Sequence, residues 1–415
     1  MKVKLFVLLM LMMFFQYAVW GSWFSIFSGT LNNRHVAGAE IGLVFAMFWL
    51  GNMLTPFLGG QLVDRIMPSQ YFLAIAHLLS AGVAFQLSQQ TTTSGLVGWM
   101  IVYSIVFTPT LAITNSLAFH HTDHMGQTEP ERERNFSLVR TAGTVGWIVA
   151  GLCLPLFISF THSDPNGVVG PITELRWCAL IGIVMSVFSL FLPNTPPNKD
   201  KNSDPLAFRR AFALFKTVPG FSVFMLISFF AATEFQFFYG LSAQYLQSLS
   251  VPHALVPVYK NISQVAEVGA LAVLLPLLLP KKGMKWCLLL GSFAWPLRYI
   301  IFALGNVWIV VPSLGLHGFG YAFVLVVQQL YVDRVAPRDI RGSAQSLLNL
   351  VTLGLGNVLG SYFCGWVQQY FTHNGVTNWV PVFILPTVTT LICAFAYMFT
   401  FKNPVGDHEV SAESA

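Results

Sequence analysis

An all-α integral membrane protein with twelve transmembrane helices in two six-helix halves is the fold class this sequence predicts. Three observations predict it. Of 415 residues, 55% are hydrophobic and only 9% charged, with 37 Phe, which is more apolar matter than a soluble domain can cover with polar groups. Apolar runs recur along nearly the whole chain at the length of about 20 residues that a bilayer core of roughly 30 Å demands of a helix. A polar segment, 194–219, divides those runs six and six.

The first run, 5–29, follows Met1-Lys2-Val3-Lys4 and imitates a signal peptide. No small-residue cleavage site follows it, and the run continues through Gln16 and Trp20, so it reads as a retained first helix. Runs 40–62, 69–88, 94–119, 136–160 and 174–193 complete the N-terminal half, 1–193. The linker 194–219 sits behind Pro193 and opens Asn194-Thr195-Pro196-Pro197, a breaker sequence. Its second part mixes Leu206, Phe208, Phe212 and Phe215 with Arg209, Arg210 and Lys216, which suits a short helix at the membrane surface. The C-terminal half, 220–402, holds runs 220–247, 256–279, 284–304, 307–332, 341–369 and 378–402, and a polar tail, 403–415, follows.

Basic residues set the orientation. With the N-terminus inside, inner segments carry Lys2, Lys4, Arg65, Arg132, Arg134, Lys199, Lys201, Arg209, Arg210, Lys216, Lys281, Lys282, Lys285, Arg334, Arg338, Arg341 and Lys402. Outer segments carry Arg34, Arg176 and Lys260, while Arg140 and Arg298 fall within spans. Seventeen against three predicts that both termini are cytoplasmic. The net charge of +5 is therefore a topology signal and not a nucleic-acid footprint. Cys153, Cys178, Cys287, Cys364 and Cys393 lie in or beside apolar runs with no ligand spacing, and read as packing residues. No nucleophile–base constellation, phosphate loop or metal-ligand spacing occurs, so neither an enzyme nor a cofactor is expected. His120, His121, Asp123 and His124 superficially suggest a metal, but their place at a helix end beside other charges suits a solvated turn.

Charge inside a span is costly, roughly 2.5–3.5 kcal/mol on insertion scales, and by default marks a solute or ion path. In the fifth run Arg140, Thr144 and Trp147 stand at i, i+4 and i+7 and share a helical face. A guanidinium, a hydroxyl and a π-surface on one stripe make a wall for a planar polar ligand, or else Arg140 snorkels to headgroups and Trp147 merely packs. In the eighth run Asn261, Gln264 and Glu267 are successive i+3 neighbours. A carboxyl there can take up and release a proton as its surroundings change, or can serve only an interhelical hydrogen bond. In the seventh run Gln236 and Tyr239 share a face, while Glu234 points away, towards either a proton path or a neighbouring helix. His77 and His317 are intramembrane and read as locally hydrogen-bonded, with proton relay as the alternative. Gly356 and Gly360 form a G-x-x-x-G for close helix packing.

Two halves joined by a basic linker is the organisation of alternating-access transporters, which bind their cargo near mid-membrane between the halves. Gly60-Gln61-Leu62-Val63-Asp64-Arg65 resembles the G-x-L-x-D-R signature of the major facilitator superfamily, without its Gly-Arg-Lys tail. Within that superfamily the chain resembles, nearly end to end, the bacterial nucleoside:proton symporters. The likeness is carried by Gln16-Tyr17-Ala18-Val19-Trp20-Gly21-Ser22-Trp23, by Pro109-Thr110-Leu111 with Asn115, and by Arg140-x-x-Gly143-Thr144-x-Gly146. It continues in Leu192-Pro193-x-x-Pro196, Ile262-Ser263-Gln264-x-x-Glu267, Arg298, Tyr321-Ala322-Phe323 and Arg341-x-Ser343-Ala344-Gln345.

The resemblance implies the major facilitator fold and proton-coupled nucleoside import. It implies a substrate site of Arg140, Thr144, Gln236, Gln264 and Glu267, with Trp147 and Phe323 flanking the base, Tyr239 beside them and Glu267 coupling the proton. Two departures stand out. Tyr239 occupies the place of a family Asn, and Val324 that of an acid. A sugar or other polyhydroxylated metabolite is the alternative cargo, and a non-transporting receptor the alternative class. A functional monomer in the bacterial inner membrane, with the bilayer, a nucleoside and a proton as its partners, is the expectation.

Overall fold

Inside lipid an apolar segment can satisfy its backbone only as a helix or in a closed barrel, and these segments form helices. The structure, a computed structural model, describes residues 2–65, 67–123, 128–195, 211–337 and 340–402. The helices are α1 (Lys2–Phe24), α2 (Phe27–Asn33), α3 (Gly38–Arg65), α4 (Ser69–Ser88), α5 (Thr93–Asp123), α6 (Glu129–Phe160) and α7 (Thr173–Ser189). After the short α8 (Leu214–Thr217) come α9 (Phe221–Ser248), α10 (Val256–Gly269), α11 (Leu275–Ala303), α12 (Val307–Ser313), α13 (Gly315–Tyr321) and α14 (Val327–Val335). The last are α15 (Arg341–Asn349), α16 (Asn357–Tyr370) and α17 (Trp379–Thr400). Expectations placed on the side chains of Gly60 to Arg65, on His124, on Lys199, Lys201, Arg209 and Arg210, on Arg338 and on the tail 403–415 lie outside the described residues.

Nine stretches among the described residues are long and apolar enough to cross a membrane. One of them, His253–Ala303, has 51 residues. At about 1.5 Å per residue that is more than twice the thickness of a bilayer core. It breaks at Gly283 (φ 77, ψ 173), a conformation that only glycine adopts readily, in the gap expected between the runs 256–279 and 284–304. Three π-helical turns, Ala270–Leu274, Ala322–Val326 and Leu350–Gly356, interrupt the C-terminal helices. Large apolar side chains stay exposed on outer faces, Phe160 and Trp308 at 84% each, as lipid-facing positions would.

The chain divides into two compact units, Met1–Lys201 with Ser250–Val258, and Asn202–Leu249 with Tyr259–Ala415. In the first, α1 lies along α6, α3 along α5 and α4 along α7. Its core is aromatic: the fully buried Trp23 ring has Phe48, Phe24, Phe27 and Tyr103 within 5.2, 5.4, 5.4 and 5.7 Å. The loop after α6 wraps Asp164, which accepts the backbone N–H groups of Val168 (2.6 Å), Val169 (2.9 Å) and Asn166 (3.0 Å). Arg34 donates to the carbonyls of Gly167 and Gly170 in the same loop, at 2.8 Å each.

In the second unit α9 packs on α16 and α17, and α11 packs on α13 and α17. Gly360 belongs to the contact between α16 and α9, where an added Cβ would stand 2.7 Å from the Thr233 backbone. Before α17 the chain makes a hairpin, Thr372 opposite Thr377 and His373 opposite Val376. Its turn is Asn374-Gly375, both at positive φ, as a two-residue type I′ connection requires.

Candidate functional site

The first unit supplies Arg140, Thr144 and Trp147 on α6. The start of that helix is fixed by a reciprocal cap between Thr128 and Glu131 and by a proline in its first turn. The face carrying these three residues meets α1. The Arg140 guanidinium lies over the Tyr17 ring, 4.1 Å from its centroid. Close approach explains the glycines of this stretch: a Cβ at Gly143 would stand 2.6 Å from Tyr17 Cδ2, and one at Gly21 2.7 Å from Trp147 Cγ. Trp147 is buried edge-on against Trp20 at 5.3 Å. Arg140 and Thr144 are half-buried. Gln16, on the same helix as Tyr17, donates to Thr110 Oγ1 (2.8 Å) and accepts from His77 Nε2 (2.9 Å). His77 therefore has the local partner expected of it. Tyr17 lies in the stretch Gln16 to Trp23 that carries the resemblance, but its contact with Arg140 was not legible in the sequence.

The second unit supplies Gln236, Tyr239, Gln264, Glu267 and Phe323. Gln236 is fully buried on α9, its Oε1 accepting from Ser361 Oγ at 3.0 Å. One turn on, the Tyr239 hydroxyl is within hydrogen-bonding reach of Gln264 and within electrostatic reach of Glu267, both on α10. Gln264 is buried and Glu267 half-buried. Gly318 lets α13 close on this helix, since a Cβ there would stand 2.6 Å from Glu267 N. Phe323 lies in the π-helical turn after α13, fully buried and stacked on Phe319 at 4.5 Å. The structure thus brings Tyr239, Gln264 and Glu267 together, while Phe323 belongs to the apolar core of the unit.

Beside them is a buried polar cluster. Arg298 on α11 donates to Glu234 Oε1 at 2.6 Å and, through its other terminal nitrogen, to His317 Nδ1 at 2.7 Å. Guanidinium nitrogens cannot accept, so His317 Nδ1 must be the acceptor and its ring proton sits on Nε2. Glu234, whose reading the sequence left open, thus bonds a neighbouring helix. Lys260 is corrected outright. Expected among the outer loop cations, it is 3% exposed within α10, its ammonium 5.2 Å from the Phe238 centroid and 5.7 Å from that of Tyr239. At the helix end, His121 Nε2 bonds Thr195 Oγ1 at 3.0 Å. No group of three or more His, Cys, Asp or Glu side chains is placed to hold a metal among the described residues.

Against known proteins, the model of the nucleoside H+ symporter family matches residues 1–406. The chain belongs to the nucleoside H+ symporter family. The putative nucleoside transporter YegT of Escherichia coli (strain K12) is 31% identical over 417 residues, covering 97% of this chain and 94% of that protein. A crystal structure of a variant of the nucleoside transporter NupG superimposes with a TM-score of 0.85 at 26% identity, covering 96% of this chain and all of that one. The inward-open xylose transporter XylE from E. coli superimposes at 0.68 with 13% identity, a likeness of fold alone. The helical fold is accordingly that of the transporters, as the sequence leads one to expect. Nucleoside H+ symporters are carriers and not enzymes, which agrees with the want of any catalytic constellation in the sequence. In this symporter the position after Phe323 is a fully buried Val324, so no acid follows that ring.

Proposed function

We propose that this protein imports nucleosides in symport with protons by alternating access. The observation that carries the reading is the meeting of Tyr239 with Gln264 and Glu267 inside a chain that the symporter family model spans almost completely. In this proposal Trp147 and Phe323 flank the base, Arg140 and Gln236 address its polar edge, and Thr144 and Tyr239 complete the wall. Gln264 and Glu267 hold the ribose hydroxyls, and Glu267 takes up the coupling proton. YegT and NupG, named as nucleoside transporters, support the cargo.

Twelve spanning helices belong to the same proposal. The nine apolar stretches, with the 51-residue one counted twice, are joined by α3 at 28 residues and α7 at 17. Two six-helix halves, 1–193 and 220–402, follow with 194–219 as the cytoplasmic linker and 403–415 as a cytoplasmic tail. We place the protein in the bacterial inner membrane as a functional monomer with both termini in the cytoplasm.

Uptake of radiolabelled uridine and adenosine into proteoliposomes, with and without an inward proton gradient, tests the reading. Accumulation that an uncoupler abolishes is expected, and Glu267→Gln should lose it. Accumulation unchanged in that variant would remove Glu267 from the coupling role. Competition by free ribose in place of nucleoside would move the cargo to sugars.

A further inference from the structure

Lys260 is a buried cation that the nucleoside site does not use. It stands at i, i+4 and i+7 with Gln264 and Glu267, one turn towards the start of α10 on the same stripe. A lysine ammonium has three N–H donors, and Lys260 Nζ has no hydrogen-bond partner among the described residues. Arg298 is already bonded to one Glu234 oxygen and to the acceptor nitrogen of His317. A second permanent cation in this pocket would go uncompensated, and buried charge is tolerated only when paired.

The surroundings also offer the charged form partial support. The faces of Phe238 and Tyr239 replace some of the water an ammonium loses. The same Phe238 ring carries His317 stacked on it at 3.6 Å and the Arg298 guanidinium at 4.8 Å, so three basic groups share one aromatic hub. The titratable and charged groups around this hub include Glu234 and Tyr239 from α9, Arg298 and Tyr299 from α11, His317 and Tyr321 from α13, and Cys393 from α17. Glu267 stands two turns along Lys260's own helix. A group held between an uncompensated charge and a partial aromatic solvent is suited to exchange a proton when its neighbours move.

We propose that Lys260 is a second proton-binding residue of this carrier, taking a proton on its amine and returning it to water during each transport cycle. The proposal rests on the symporter reading above and deepens it. Hydronium gives the Lys260 amine a proton and becomes water; release reverses this, and only the N–H bond forms and breaks. The ammonium form calls for an acceptor that the present arrangement denies it, either the second oxygen of Glu234, which has no partner here, or Glu267. Proton loading is thereby tied to a rearrangement of α10 against α9 and α11.

The test uses the full-length protein in proteoliposomes with radiolabelled uridine. Counterflow, which requires no net proton movement, measures working carrier in each preparation and normalises gradient-driven accumulation. Lys260→Gln, which never holds the proton, and Lys260→Arg, which never releases it, should both lose accumulation relative to counterflow. Accumulation per unit counterflow equal to wild type in Lys260→Gln overturns the proposal. Loss of counterflow in both variants assigns Lys260 to structure and overturns it equally. Wild-type protein that neither exchanges nor accumulates uridine defeats the symporter reading first, and this proposal with it.

Discussion

Arg298 and Glu234 form an ion pair at 2.6 Å with neither side chain exposed at all. It joins α11 to α9, and the same guanidinium reaches His317 on α13, so one cation fastens three helices of the second unit. Glu234→Gln would leave the Arg298 charge buried without its counter-ion. Breaking one partner of a buried pair costs about 3–5 kcal/mol, whereas replacing both by apolar residues is close to neutral. Thermal unfolding of purified protein should therefore show a large loss of stability for Glu234→Gln and for Arg298→Met, and recovery in the double variant Glu234→Met/Arg298→Met. A double variant as unstable as the sum of the singles would mean that the pair acts through other contacts.

The Arg140 guanidinium rests over the Tyr17 ring, 4.1 Å from its centroid. Tyr17→Phe should bind uridine as wild type does. Tyr17→Leu removes a cation–π interaction of about 0.5–2 kcal/mol, which corresponds to a roughly 2- to 30-fold weaker Kd if Arg140 must be held to meet the ligand. Calorimetric titration of the two variants separates them. Equal affinities would show that Arg140 is placed by something else.

The helices were legible in the sequence because hydropathy reads them directly: α4 spans Ser69–Ser88, the run expected at 69–88. The stripe Arg140, Thr144 and Trp147 was legible for a related reason, since helical periodicity fixes which residues share a face. What enclosure decides was not legible. Lys260 lies only eight residues after Pro252, near enough to the end of a span to count as a loop cation, and the rings of Phe238 and Tyr239 that lie beside it belong to another helix. Glu234 finds its partner 64 residues away, a distance that no local pattern spans. The Asn374-Gly375 hairpin did carry its signal in the sequence, but a short connection between spans concealed it.

Asp164 gives a pH dependence whose sign is fixed. Slight burial pushes its carboxyl up, but the N–H groups of Val169, Asn166 and Val168 outweigh this and hold it below the ordinary carboxylate range. A carboxylate with a depressed folded-state pKa contributes stability that is present above its unfolded value and is lost as pH falls through the folded one. Protection of the Val168 and Val169 amides from hydrogen exchange should thus be flat from about pH 8 to 5 and should decline only below the ordinary Asp value of about 3.9. Asp164→Ala should lower that protection throughout the range. Protection that falls already near pH 6 in wild type would show that Asp164 is not the titrating group.

Gly146 and Gly82 make opposite demands on the same substitution. A Cβ at Gly146 would collide with the Phe14 carbonyl oxygen where α6 lies against α1, while a Cβ at Gly82 meets nothing within 4 Å. A collision with backbone cannot be relieved by turning a rotamer, so α6 must shift, at a cost typical of overpacking, about 1–3 kcal/mol. The shift also moves Arg140, Thr144 and Trp147 relative to Tyr17, so Gly146→Ala should weaken uridine binding as well as lower the unfolding temperature. Gly82→Ala should leave binding untouched and raise stability slightly, because alanine is the better helix former by about 1 kcal/mol. Binding by Gly146→Ala equal to that of Gly82→Ala would show that the register of α6 on α1 does not set the position of Arg140.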